Sequence, residues 1–157
     1  MPDHDPLQPH SHEPNPEPPS ASPDFTLTLP DSRTVAVAVG DLRQLPETTL
    51  ANCTIVSTGH GTSGPFGFTG TRLIDLVEHF VKTGWSQVEV ISADGFGNRI
   101  AAEELLQPDP AGPILLAYAI DGRPMTRLEG LVRLIVPNET DDALRQVKWI
   151  GRVNIRP

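Results

Sequence analysis

Residues 51–70, ANCTIVSTGHGTSGPFGFTG, gather much of what could do chemistry in this chain. Cys53 is the only cysteine, and its thiolate would be a soft ligand for a transition metal. Downstream, His60 stands between two glycines at the start of GHGTSGPFG. Glycines let consecutive backbone N–H groups converge on an anion, and His60 would add a donor. The same letters support a plainer alternative, a small buried apolar side chain on a strand that runs into a connecting loop. No G-K-[ST] follows the glycines, so the loop is not a Walker motif.

Positioning such residues needs regular elements on both sides. In FTLTL, Phe25, Leu27 and Leu29 alternate with threonines, and in TVAVAV the valines alternate with alanines, so both read as strands of a hairpin turning at PDSR. GDLRQLP predicts a short helical turn with Asp41 as its N-cap, stopped by Pro46. TLANCTIVST is the next strand. TGTRLIDLVEHFVKTG predicts an amphipathic helix with Leu73, Leu76, Val77 and Phe80 on one face and Gly84 as the C-cap. VEVIS is a strand running into the turn ADGFGN, and AAEELL a short helix. ILLAYAI is a buried strand, and LVRLIVP and VKWIGRVNI are two more. Strands in the majority, two or three helices and short links give an α+β domain over residues 24–157.

Residues 1–23 differ in kind. They carry eight of the 17 prolines, no Lys or Arg and one leucine, too little apolar surface to offset the entropy of ordering, so they read as a disordered tail. His4, His10 and His12 could bind a metal, against the simpler reading of a solvated polar tail.

The formal charge of -8 argues against sequence-independent nucleic-acid binding, which needs clustered cations, and against an anionic membrane surface. No apolar run approaches the ~18 residues that span a bilayer. With one cysteine and no basic-then-apolar start, the expected location is cytoplasmic.

Four segments, FTGTRLIDLVEH, VEVISADGFGNRI, ILLAYAIDGRPM and GLVRLIVP with RQVKWIGRVNI, together resemble the molybdopterin-binding domain of the sulfite oxidase family of molybdenum oxidoreductases. The resemblance implies a mostly β, mixed-sheet fold. It also implies a molybdopterin (molybdenum cofactor) held in a cleft by cationic side chains, with one cysteine ligating the metal. By position, Arg133 and Lys148 match family residues that contact the pterin or its phosphate, and Arg145 is a nearby candidate. Ser57 and His60 fall in the strand and loop that face the cofactor in the family.

The family's cysteine is the point of departure. Counting forward from Pro46 and back from Gly70 lands on Val56 or Ser57, and at about 3.3 Å per residue Cys53 sits about 13 Å upstream of Ser57. A four-residue slide of the strand would keep its buried face and bring Cys53 into place. Glu129 stands near where many members carry a phosphate-facing histidine, and Glu139, Asp141 and Asp142 lie in the linker before Val147. The family's catalytic tyrosine would lie beyond Pro157.

Two functions follow from the resemblance. One is a member degenerate at the metal position, a pterin-binding or anion-binding, non-catalytic module in which the cofactor is weakened or lost. The other is an active minimal molybdenum oxidoreductase using Cys53 as metal ligand and needing a redox protein partner. A third, a pure interaction protein docking through its proline-rich tail, lacks the arginine flank that favours SH3-type grooves.

Overall fold

The computed structural model describes residues 22–57, 61–107, 110–137 and 147–157. The proline-rich segment with its three histidines, His60, Arg145 and the linker acids all lie outside the described residues.

Strands β1 (Phe25–Thr28) and β2 (Thr34–Val37) form the expected hairpin, with Phe25 opposite Val37 and Leu27 opposite Val35. Phe25 and Leu27 face the core and Thr26 faces water, as period-two alternation requires. Helix α1 (Val39–Leu42) follows, and its N-cap is Ala38, not Asp41. Asp41 sits one turn inside and reaches back, its Oδ2 accepting the Ala38 N–H at 2.8 Å. The carboxylate therefore satisfies a helix-start donor from N3 rather than from the cap position.

β3 (Thr48–Ser57) and β4 (Gly61–Arg72) make a long antiparallel hairpin. This corrects the expected loop over GHGTSGPFG, because residues from Gly61 onward are strand, with Gly61 opposite Ser57 and Phe66 opposite Cys53. The glycines and Pro65 hid the strand from a propensity reading. The chain accommodates them with register shifts between Leu50 and Cys53 and between Cys53 and Ile55.

Helix α2 (Leu73–Phe80) buries Leu73, Leu76 and Val77, the i, i+3, i+4 stripe read from sequence. Arg72 donates to both Asp75 oxygens, at 2.8 and 2.9 Å, where a carboxylate in the first turn also complements the helix dipole. The helix ends earlier than predicted. Val81 is the C-cap in an extended conformation, and Gly84, with φ +84°, turns the chain beyond it.

β5 (Gln87–Ser92) and β6 (Gly97–Ala101) form a third hairpin, of which only the first strand was legible, and α3 (Ala102–Leu106) follows. β7 (Leu115–Ile120) is buried along its whole length, β8 (Arg123–Pro124) and β9 (Arg133–Ile135) pair with it, and β10 (Ile150–Arg156) closes the chain.

Among the described residues, the strands form two five-stranded sheets. The first runs β2-β1-β10-β5-β6 and is mixed, since β1 and β10 are parallel while the other pairs are antiparallel. The second runs β3-β4-β7, with β8 and β9 sharing the far edge of β7. The main core contains Leu27, Leu76, Val90, Leu116, Leu134 and Val153. A smaller cluster of Phe68, Leu115, Ala117, Ile120, Met125 and Ile135 covers the other face of the second sheet, so β7 is apolar on both sides. Full burial of each large side chain contributes about 2 kcal/mol. Among the described residues, no helix is long and apolar enough to cross a membrane.

Candidate functional site

Arg133 leads β9 and lies on the face shared with Ile135, opposite Ala117 of β7. It is only 7% exposed. Its guanidinium carbon lies 5.4 Å from the centre of the Phe68 ring, a cation–π contact, yet among the described residues its Nε is buried without a hydrogen-bond partner. A buried cationic donor left unpaired costs stability, about 1–3 kcal/mol for the donor alone. Burial pushes the Arg133 pKa down to about 10, and the charge of Glu129 opposes the shift. At neutral pH the group is still a cation.

Lys148 is brought to Arg133 by backbone pairing. Leu134 and Val147 exchange N–H···O bonds at 2.8 and 3.3 Å, and the Trp149 N–H donates to Gly130 O at 3.0 Å. These bonds fold the run-in to β10 over the run-in to β9. The geometry depends on residues at positive φ, namely Gly130 (112°), Leu131 (61°) and Trp149 (51°). A Cβ on Gly130 would stand 2.8 Å from Arg133 Cγ and 3.0 Å from Lys148 Cγ, so this glycine is the gap through which the two stems converge. The Trp149 indole donates to Arg127 O at 2.6 Å and lies 5.6 Å from Lys148 Nζ.

Lys148 is solvent-exposed as a residue. Desolvation first, and the neighbouring Arg133 charge second, lower its pKa to about 8, again opposed by Glu129. Water reaching the exposed side chain works against both effects, so the downward direction is what the geometry supports.

Glu129 does not stand free among these cations. Arg123 Nη1 and Nη2 donate to its two carboxylate oxygens at 2.7 and 2.6 Å, and the Thr126 N–H donates to Oε1 at 2.9 Å. The Glu129 N–H returns a bond to Thr126 Oγ1 at 3.3 Å. Chiefly through the Arg123 hydrogen bonds, the Glu129 pKa falls to about 2. Arg123, Phe68 and Gly130 were not singled out as site residues in the sequence. TRLE does match the reciprocal Thr-x-x-Glu capping pattern and could have located Glu129.

Cys53 sits elsewhere on the same face. It is partly buried and packs with Leu50 and Phe66 against the cluster that contains Phe68. Its register partner is Phe66, whereas Arg133 reaches β4 through Ala117 at Gly70. Three strand spacings across and four residues along separate the two backbones by about 19 Å. Desolvation raises the Cys53 pKa, which keeps the thiol neutral. Ser57 lies farther out, opposite Gly61, near the end of the hairpin. Among the described residues, no three His, Cys, Asp or Glu side chains gather into a cluster that could hold a metal ion without a cofactor. The structure thus brings Arg133 and Lys148 together, while the backbones of Cys53 and Ser57 stand three strands away in the sheet.

The family model for the oxidoreductase molybdopterin binding domain matches residues 15–157. Mitochondrial sulfite oxidase of Drosophila melanogaster is 29% identical over 146 residues, covering 83% of this chain and 25% of that protein. The mitochondrial sulfite oxidase of Rattus norvegicus is 44% identical over 96 residues, 56% of this chain and 17% of the relative. The chain spans about a quarter or less of these relatives. Among solved structures, the sulfane dehydrogenase SoxCD from Paracoccus pantotrophus superposes with a TM-score of 0.65 at 18% identity, covering 85% of this chain and 38% of that one, a likeness of fold.

Proposed function

We propose a function from one premise: the chain belongs to the oxidoreductase molybdopterin binding domain family, as a member of sulfite oxidase type. Within it, the chain is a module degenerate at the metal position that acts by binding a pterin or another phosphate-bearing anion. The observation that carries this reading is Arg133, a buried guanidinium with an unpaired Nε, beside the ammonium of Lys148. A fold keeps such a costly arrangement where a ligand oxyanion completes it.

The residues present fit one end of the family's cofactor. Arg133 would offer a guanidinium fork and Lys148 a point charge to a phosphate, and Phe68 would hold the guanidinium plane. The other end is less well matched, because Cys53 packs against an apolar cluster and its backbone stands about 19 Å from that of Arg133 in the sheet. When bound, a molybdenum cofactor supplies oxygen-atom or electron transfer. The rival reading, an active minimal oxidoreductase using Cys53 and a redox protein partner, draws support from Cys53 and Arg133 bordering the same cluster.

Phosphate titration followed by calorimetry tests the site. Wild-type protein is expected to bind, and Arg133→Ala with Lys148→Ala to lose binding. Unchanged affinity in the double variant would remove the site.

A further inference from the structure

The Arg133 and Lys148 pair carries its own carboxylate. Glu129 is adjacent in sequence to Gly130, the point where both cation stems converge, and its charge reaches both groups. A carboxylate so placed is a candidate ligand for the same cations that would take an external anion. It is instead held by Arg123 in a two-pronged bond at 2.6 and 2.7 Å, with the Thr126 N–H as a third tie.

We propose that Glu129 is a built-in competitor for the Arg133 and Lys148 anion site, drawn aside by Arg123, so that this ion pair sets how strongly the site binds an oxyanion. The inference rests on the anion-binding function proposed above and adds its regulation. Arg123 has no other role in it. It acts through Glu129, as a positioning residue, and not as a third phosphate ligand. The ligand class is a phosphomonoester or diphosphate, whose oxyanion would accept from the unpaired Nε–H of Arg133.

The two partners of the pair then have opposite effects. Glu129→Gln removes the competing charge while keeping the shape. It is expected to tighten inorganic phosphate binding roughly fivefold, the scale of one partly exposed charge interaction. Arg123→Ala frees the carboxylate toward the site and is expected to weaken binding by a similar factor. A generic loss of positive charge would also weaken binding, so the decisive comparison is the double variant. In the Glu129→Gln background, Arg123→Ala should change phosphate affinity by less than about twofold, because there is no carboxylate left to restrain.

Inorganic phosphate is titrated by calorimetry into wild type, both single variants and the double variant, with circular dichroism and thermal unfolding recording the fold of each. Equal weakening by Arg123→Ala in both backgrounds would make Arg123 an ordinary cation and overturn the proposal. Unchanged or weaker binding by a folded Glu129→Gln would overturn it as well. Failure of the underlying site looks different: neither wild type nor Glu129→Gln binds phosphate, whatever stands at 123. If Arg123→Ala alone fails to fold, Arg123→Lys, which keeps a charge but loses the fork, replaces it and should give a smaller loss in the same direction.

Discussion

Arg133 sets the terms at the scale of single residues, because its burial is costly and its Nε is unpaired. Replacing a buried, incompletely paired cation by an apolar side chain of similar length commonly stabilises a protein. Arg133→Met is therefore expected to raise unfolding stability by about 2 kcal/mol in urea denaturation while abolishing phosphate binding. A large loss of stability would mean that the guanidinium holds the fold. Lys148 gives a pH signature. Its folded pKa is lowered below the ordinary lysine value, so between the folded and ordinary values the unfolded chain binds more protons than the folded one. Stability contributed through Lys148 thus rises as pH climbs through that window, and the charged form costs stability below it. Phosphate affinity moves the other way, falling at alkaline pH as the ammonium is lost, while Arg133 stays protonated until higher pH. Lys148→Gln should flatten both trends.

Elements bring these residues together, and the close contacts are where a substitution tells. Gly70 lies at the register shift of β4 against β7, where a Cβ would overlap the Leu116 carbonyl oxygen and stand 2.6 Å from Ala117 Cα. Gly70→Ala is expected to cost about 3 kcal/mol in denaturant unfolding, since the obstacle is backbone and cannot swing away. A cost within error of zero would show that the two strands separate easily. The same elements show what the sequence could and could not tell. β7 was legible because six consecutive apolar residues need two buried faces, and α2 because Leu73, Leu76 and Val77 repeat at helical spacing. β4 was hidden by Gly61, Gly64, Pro65 and Gly67, which read as loop until the β3 partner supplies the pairing. β9 was legible as a strand around Arg133. Its approach to Lys148 was not, since it depends on bonds between residues 130–134 and 147–150 and on the positive φ of Trp149.

For the whole molecule, family membership and the mixed-sheet fold rest on matches along most of the chain, and the resemblance was readable from four ordered segments. Function turns on one chemical question: whether the second sheet's outer face, with Arg133 at one end and Cys53 packed nearer the other, holds a metal. The backbones of Arg133 and Cys53 stand about 19 Å apart in the sheet, while the Arg133 guanidinium lies over Phe68 of the cluster against which Cys53 packs. The most direct test is molybdenum analysis, by plasma mass spectrometry, of wild type and Cys53→Ala purified from a host that makes the cofactor. The degenerate reading predicts well under one molybdenum per chain in both folded proteins. Stoichiometric molybdenum in wild type that disappears on Cys53→Ala would contradict it and establish the enzyme instead.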